Sequence, residues 1–204
     1  MSEVRIFLGG EGRNELGSWA GHPAYQNDTE SGVIKALLLR TQPQGWKVIG
    51  ALSWKRCRKY TDFGPLPAAL RRNIRHDHEK SAVLGLVLDA KEHGAQAVAF
   101  VRDQDDDPER ARIVADAVEL ARTNWPQIRI AGGTAVPVLE GWILALMGDA
   151  GTESLGKVKA QRLLADRNVT STPEMVREVL ADRPVPEDAA HLRSWLAQAR
   201  DAFS

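Results

Sequence analysis

The sequence predicts an α/β fold, a mostly parallel sheet flanked by helices. Three observations predict it. Short β-prone runs at residues 4–8, 46–54, 95–101 and 128–131 have strand length. Stretches with helical apolar spacing stand between the later ones. The run 95–101 is apolar without alternation, as suits a strand covered on both faces. Strands alternating with helices imply parallel pairing through helical crossovers.

Taken in order, Val4 to Leu8 is β-prone and stops at Gly9-Gly10-Glu11-Gly12. A short helix is expected from Arg13 and a second over Ser31 to Leu39. Gln42 to Gly45 reads as a turn, followed by a strand from Trp46 to Trp54. Val83, Leu84, Leu86, Val87 and Leu88 mark the apolar side of a helix ending near His93-Gly94, where Gly supplies a left-handed cap. After the strand Ala95 to Val101, Asp107-Pro108 has the form of an N-cap and first helical residue. Ile113, Val114, Ala117, Val118 and Ala121 then give the buried side of a helix to about Asn124. Ile128 to Ala131 is a further strand, with a turn expected at Gly132-Gly133. Val138 to Met147 reads as an apolar helix. From Gly156 the chain is helical in three pieces, broken at Thr172-Pro173 and at Pro184/Pro186. Residues 1–150 thus form the α/β domain, and residues 151–204 a C-terminal helical extension.

The 204 residues are 43% apolar and 26% charged, with 27 Lys+Arg against 27 Asp+Glu. That composition excludes whole-chain disorder, collagen and a coiled-coil rod. Zero net charge argues against coating nucleic acid by bulk positive charge. Cys57 is the only cysteine, so no intrachain disulfide forms. Met1 to Arg5 enters a strand-like run without signal-peptide character, and no apolar stretch approaches the roughly 18 residues of a membrane span. A cytoplasmic protein without membrane contact is expected.

Charge is nevertheless polarised along the chain. Residues 40–80 hold ten cations (Arg40, Lys47, Lys55, Arg56, Arg58, Lys59, Arg71, Arg72, Arg75, Lys80) against Asp62, Asp77 and Glu79. Trp46, Trp54, Tyr60 and Phe63 are interleaved with them. Cations that neutralise phosphates and aromatics that stack on bases describe a nucleic-acid track. The competing reading is a solvated arm whose tryptophans pack on the core. Lys55, Arg56, Arg58, Lys59, Arg71, Arg72 and Arg75 are the candidate contacts.

Two acidic motifs follow strands. Glu11 and Glu15 lie about one helical turn apart, so their carboxylates can point the same way. Asp103 and Asp105 are spaced by two, which in an extended segment places both on one face. Ligands of open α/β sheets bind beyond the carboxyl ends of strands, and both motifs stand there. Four carboxylates within ~4–6 Å repel unless protonated or neutralised by a cation. Oxygen donors without His or Cys suit a hard ion, Mg²⁺ or Mn²⁺.

Glu11-Gly12-x-x-Glu15 after the first strand and Asp103-x-Asp105 after an apolar strand resemble the Toprim metal-binding pattern. Glu140-Gly141-Trp142 opening an apolar helix is similar to the third acidic motif of small stand-alone Toprim-like proteins, relatives of the Toprim nuclease domain of OLD-family proteins. The resemblance spans roughly residues 4–147 and implies a Toprim-like sheet with a basic insertion at about 40–80. It further implies a metal-dependent nuclease acting on DNA or RNA, in prokaryotic defence against phage or plasmids, alongside a separately encoded ATPase. Glu11 would be metal ligand and general base; Glu15, Asp103, Asp105 and Glu140 would complete the metal sites. A lysine beyond the third motif would stabilise phosphate charge, with Lys157 preferred over Lys159. Nearly ninety residues separate the first two motifs, long for a minimal Toprim unit, and no ATPase domain is present.

Each residue also has a plainer reading. Glu15 and Glu140 are common first-turn helix acids. Asp107 is assigned to capping, while Asp106 and Glu109 are expected to face solvent. His76-Asp77-His78 reads as an N-cap rather than a zinc pair. Cys57, among four cations, could have a lowered thiol pKa, but has no evident partner. Trp142 and Trp195 are expected to pack. The alternative functions are a non-catalytic Toprim-like nucleic-acid-binding or assembly subunit and, behind it, a phosphotransferase or phosphatase acting on nucleotides.

Overall fold

A computed structural model describes residues 3–20, 29–42, 44–59 and 77–203. Four strands form one all-parallel sheet: β1 (Val4–Gly10), β2 (Trp46–Ser53), β3 (Ala97–Asp103) and β4 (Arg129–Ala135), in the order β2-β1-β3-β4. Eight α-helices flank it among the described residues: α1 (Arg13–Leu16), α2 (Val33–Thr41), α3 (His78–Glu92), α4 (Pro108–Asn124), α5 (Leu139–Leu146), α6 (Lys157–Asp166), α7 (Thr172–Leu180) and α8 (Ala190–Phe203). This is the α/β architecture expected, and it is consistent with a Toprim-like arrangement. No helix among the described residues is long and apolar enough to cross a membrane.

Both faces of the sheet are buried, which explains why its central strands read as unbroken apolar runs. One core joins Ile6, Leu8, Ala97, Ala99 and Val101 to α2, α5 and α8. The other joins Phe7, Val98 and Phe100 to α3 and α4. The C-terminal helical extension contributes to the first core, through Leu192, Trp195, Leu196 and Ala199 of α8. Trp195 and Trp142, each 1% exposed, pack with ring centroids 6.3 Å apart, and the Trp195 indole N–H donates to Phe100 O at 2.9 Å.

Local signals hold at several ends. Gly94, at φ 73°, closes the α3 end as a left-handed residue. Asp107 caps α4 through Glu109 N at 3.1 Å, with Pro108 in the first turn. Asp77 caps α3 through Lys80 N at 2.9 Å.

Two boundaries differ from expectation. The turn expected at Gly132-Gly133 lies inside β4, because a Cβ on Gly132 would stand 2.1 Å from the Phe100 ring. Glycine there admits a neighbouring aromatic and does not end the strand. The break expected at Thr172-Pro173 falls earlier: Pro173 occupies the first turn of α7, where its missing N–H costs nothing.

The connections set the functional end. The chain leaves β1 for β2 on one side, then returns past β1 to β3 on the other. The carboxyl ends of β1 and β3 thus flank a topological switch point, the usual crevice for ligands in such sheets.

Candidate metal centre

β1 and β3 are direct neighbours, with Gly9 opposite Phe100, so the two acidic motifs emerge side by side. Asp103 is the last residue of β3 and is 4% exposed. Its Oδ1 accepts from Leu139 N at 2.8 Å, tying it to the first turn of α5. Burial pushes the Asp103 carboxyl up to about 7; the Leu139 N–H opposes this, and the negative charges of Glu11 and Glu140 add to it. Lys157 Nζ lies 3.4 Å from both Asp103 Oδ2 and Asp105 Oδ1. Partial burial works against the Lys157 charge, but Asp103 and Asp105 outweigh it and hold its pKa above the ordinary range. Both Lys157 and Lys159 are exposed, and Lys157 is the one that makes ion pairs with the aspartates.

Asp105 corrects one expectation. It is not in an extended segment with Asp103; at φ 50° it sits in a left-handed turn, which a short polar side chain tolerates. Its N–H donates to Pro137 O at 3.0 Å, and its Oδ2 accepts from Arg110 Nη1 at 2.9 Å. The shared Lys157 ammonium, rather than strand pleating, brings the two aspartates together.

Glu15 faces Glu11 electrostatically but also caps α1, accepting from Gly12 N at 2.8 Å. Burial raises its pKa; the backbone hydrogen bonds oppose this, while the charges of Glu11 and Glu140 add to it. Glu140, in the first turn of α5, accepts from Gln161 Nε2 at 2.9 Å. Glu11 accepts from Arg102 Nη1. Asp106 and Glu109 are exposed, as expected.

Sequence reasoning missed three residues that shape this end of the sheet: Arg102, Arg110 and Glu79. Arg102 Nε and Nη2 donate to Glu79 at 3.0 and 2.8 Å while Nη1 reaches Glu11. Arg110 Nη1 donates to Asp103 O, Gln104 O and Asp105 Oδ2, and its Nε stands 3.2 Å from Glu79 Oε1. A cation directly beside Asp103 in sequence was the one available signal for Arg102.

Carboxylates are the donor type that a hard cation takes, and the two motifs leave neighbouring strands at the switch point, where the Lys157 ammonium stands between Asp103 and Asp105. In this arrangement, however, no three His, Cys, Asp or Glu among the described residues are grouped to hold an ion. Glu11 and Asp105 would have to exchange guanidinium partners for one.

The basic segment divides. Lys55 and Arg56 lie in a short 3-10 turn (Trp54–Arg56) and line a cavity of about 630 Å³ with Glu11, Gly12, Arg13 and Ser53. Arg58 is committed elsewhere, to Asp89 and to Glu92 at 2.6 Å. Lys59 is exposed. Trp54 packs edge-on against Phe100 at 5.4 Å and donates to Val101 O at 3.1 Å, so it serves the core as the plainer reading holds. Arg71, Arg72 and Arg75, with Tyr60, Phe63 and His76, lie outside the described residues. Burial, reinforced by the Asp89 charge, pushes the Cys57 thiol up to about 12, so neighbouring cations do not activate it.

No family model, curated protein or solved structure matches the chain.

Proposed function

We propose that the protein is a divalent-metal-dependent, Toprim-like nuclease that hydrolyses phosphodiester bonds in DNA or RNA. One observation supports this reading: the two acidic motifs leave neighbouring strands at the switch point, with Lys157 shared between Asp103 and Asp105. Glu11, Asp103 and Asp105 would hold Mg²⁺ or Mn²⁺, with Glu15 and Glu140 completing the donor set. Bound ions supply Lewis-acid activation of the phosphodiester and its attacking water. Glu11, at the wall of the 630 Å³ cavity, would serve as the general base once released from Arg102. Lys157, once released from the aspartates, offers its ammonium to the phosphate. Lys55 and Arg56 line the same cavity and would neutralise flanking phosphates. The resemblance adds a biological setting, prokaryotic anti-phage or anti-plasmid defence with a separately encoded ATPase as partner.

The test is cleavage of supercoiled plasmid, single-stranded DNA and RNA with Mg²⁺, Mn²⁺ or EDTA. Asp103→Ala and Glu11→Gln should each lower metal-dependent cleavage by at least about 100-fold. Cleavage that persists in EDTA and survives both substitutions overturns the reading.

A second reading, a non-catalytic Toprim-like nucleic-acid-binding or assembly subunit, is favoured by the guanidinium and ammonium groups that already neutralise the acids. It requires salt-sensitive nucleic-acid binding that both substitutions leave intact, with no cleavage in any metal.

A further inference from the structure

β4 stands at the edge of the sheet and pairs with β3 alone among the described residues. In such a parallel ladder, a residue turns its N–H and C=O to the same side, and its neighbours turn theirs to the other. Arg129 N donates to Gln96 O and Ala135 O accepts from Gln104 N, so Arg129, Ala131, Gly133 and Ala135 face β3. Ile130, Gly132 and Thr134 therefore turn their main-chain groups to the free edge. Arg122 Nη2 reaches Ile130 O there at 2.9 Å. Gly132 and Thr134 are buried, yet no described residue bonds their outward groups. Buried main-chain groups without a partner are uncommon in folded proteins.

A cavity of about 400 Å³ lies along this edge, a volume in the range of small-molecule pockets. Gly132 and Thr134 line it, with Ala111, Ala115 and Val118 from α4 and Trp195 from α8. α4 packs on one face of the sheet and α8 on the other, so the cavity is a slot that continues the plane of the sheet. Two side-chain donors of its lining also lack partners: Thr134 Oγ1 and Trp142 Nε1, on residues 8% and 1% exposed. Charge at the slot disfavours an anion. Asp116 and Glu119 line it, while Arg122 is committed to Ile130 O, Gln198 and Glu119, and His191 faces Glu153. None of the residues in the three acidic motifs lines the slot.

We propose that this slot binds a neutral nucleoside whose base carries an amino donor beside a ring-nitrogen acceptor, as adenosine and cytidine do. Gly132 O and Thr134 N–H are the facing acceptor and donor of the free edge, on either side of Gly133. The amino group donates to Gly132 O and the ring nitrogen accepts from Thr134 N–H. The flat ring then lies in the plane of the sheet, between the small side chains of α4 and the Trp195 ring of α8. The Thr134 hydroxyl and the Trp142 indole are the further donors within the same lining. This site is independent of the metal-dependent reading and stands if that reading falls.

The test is calorimetric titration of the full chain with adenosine and with cytidine. At least one should bind with a Kd below about 1 mM. The dimethylamino analogue of whichever binds has lost the donor for Gly132 O and should bind at least about tenfold more weakly. The corresponding 5′-monophosphate should bind no more tightly than the nucleoside. Ala115→Leu, at an exposed position of α4, fills the slot and should also weaken binding by at least about tenfold. Thermal unfolding of the variant reports folding, and if Ala115→Leu does not fold, Ala111→Leu decides in its place. A slot that holds only water gives no binding of either nucleoside, and that result overturns the proposal. So does a dimethylamino analogue that binds equally well, a monophosphate that binds more tightly, or affinity that a folded leucine variant leaves unchanged.

Discussion

Two carboxylates in this molecule each accept backbone N–H groups, yet they are displaced in opposite directions. Glu174, in the first turn of α7, accepts from Thr170 N and Ser171 N at 2.8 Å each. Those hydrogen bonds, in full solvent, hold it down at about 2. Asp103 accepts from Leu139 N at the same 2.8 Å but is buried beside other acids, and stands at about 7. A backbone hydrogen bond therefore does not set the sign of the shift. Burial does, when like charges rather than water surround the group. Glu174 serves a helix end in solvent; Asp103 is buried at the end of β3, where its charged form is costly.

The largest break in that comparison is Asp103→Asn, which keeps an acceptor for Leu139 N and removes the charge. Mn²⁺ affinity should fall by more than about tenfold. Thermal stability at pH 8 should hold or rise, because a buried charge has gone. A parallel loss of stability would show Asp103 to be a structural anchor.

Proton linkage supplies the next effect. The folded protein holds the Asp103 proton more tightly than the unfolded chain, whose carboxyl titrates near 3.8. The Asp103 contribution to stability is therefore fully present below about pH 4 and is lost as pH rises through about 7. The loss should reach up to about 4 kcal/mol in the absence of metal. Chemical denaturation from pH 4 to 8, original protein against Asp103→Asn, isolates it.

Lys157→Met should sharpen the contrast more modestly. It removes the cation paired with the Asp103 carboxylate, so the Asp103 carboxyl should titrate higher still, as followed by ¹³C NMR of the side chain. Were its titration unmoved, the 3.4 Å contact would have no electrostatic weight. Glu174→Gln should have the smallest effect. The cap's contribution is present above the ordinary glutamate range and is lost as pH falls through about 2. The variant should thus show a small drop in Tm at pH 7 that disappears in strong acid.

Much of the fold was legible because its signals are local. Asp77, Asp107 and Gly94 terminate helices through their own side chains or φ, and β3 announces itself as a bare apolar run. Gly132 was misread because its partner, the Phe100 ring, arrives across the sheet from another strand. At the site, the acids Glu11, Asp103 and Asp105 stood out by type and spacing. Arg102, Arg110 and Glu79 did not. Arg102 meets Glu11 across 91 positions and Glu79 across 23, and no periodicity encodes such distances.

By itself the chain's residue order determined the alternation of strands and helices, the caps that end them and the concentration of acid after two strands. These follow from backbone preferences and apolar spacing acting over a few residues. Only the tertiary structure decided that β1 and β3 are neighbours, that Asp105 turns left-handed beside Lys157, and that guanidinium groups pair with Glu11 and Asp105. Those outcomes depend on sheet order and on charges competing across the crevice, which exist only once both cores have closed around the sheet.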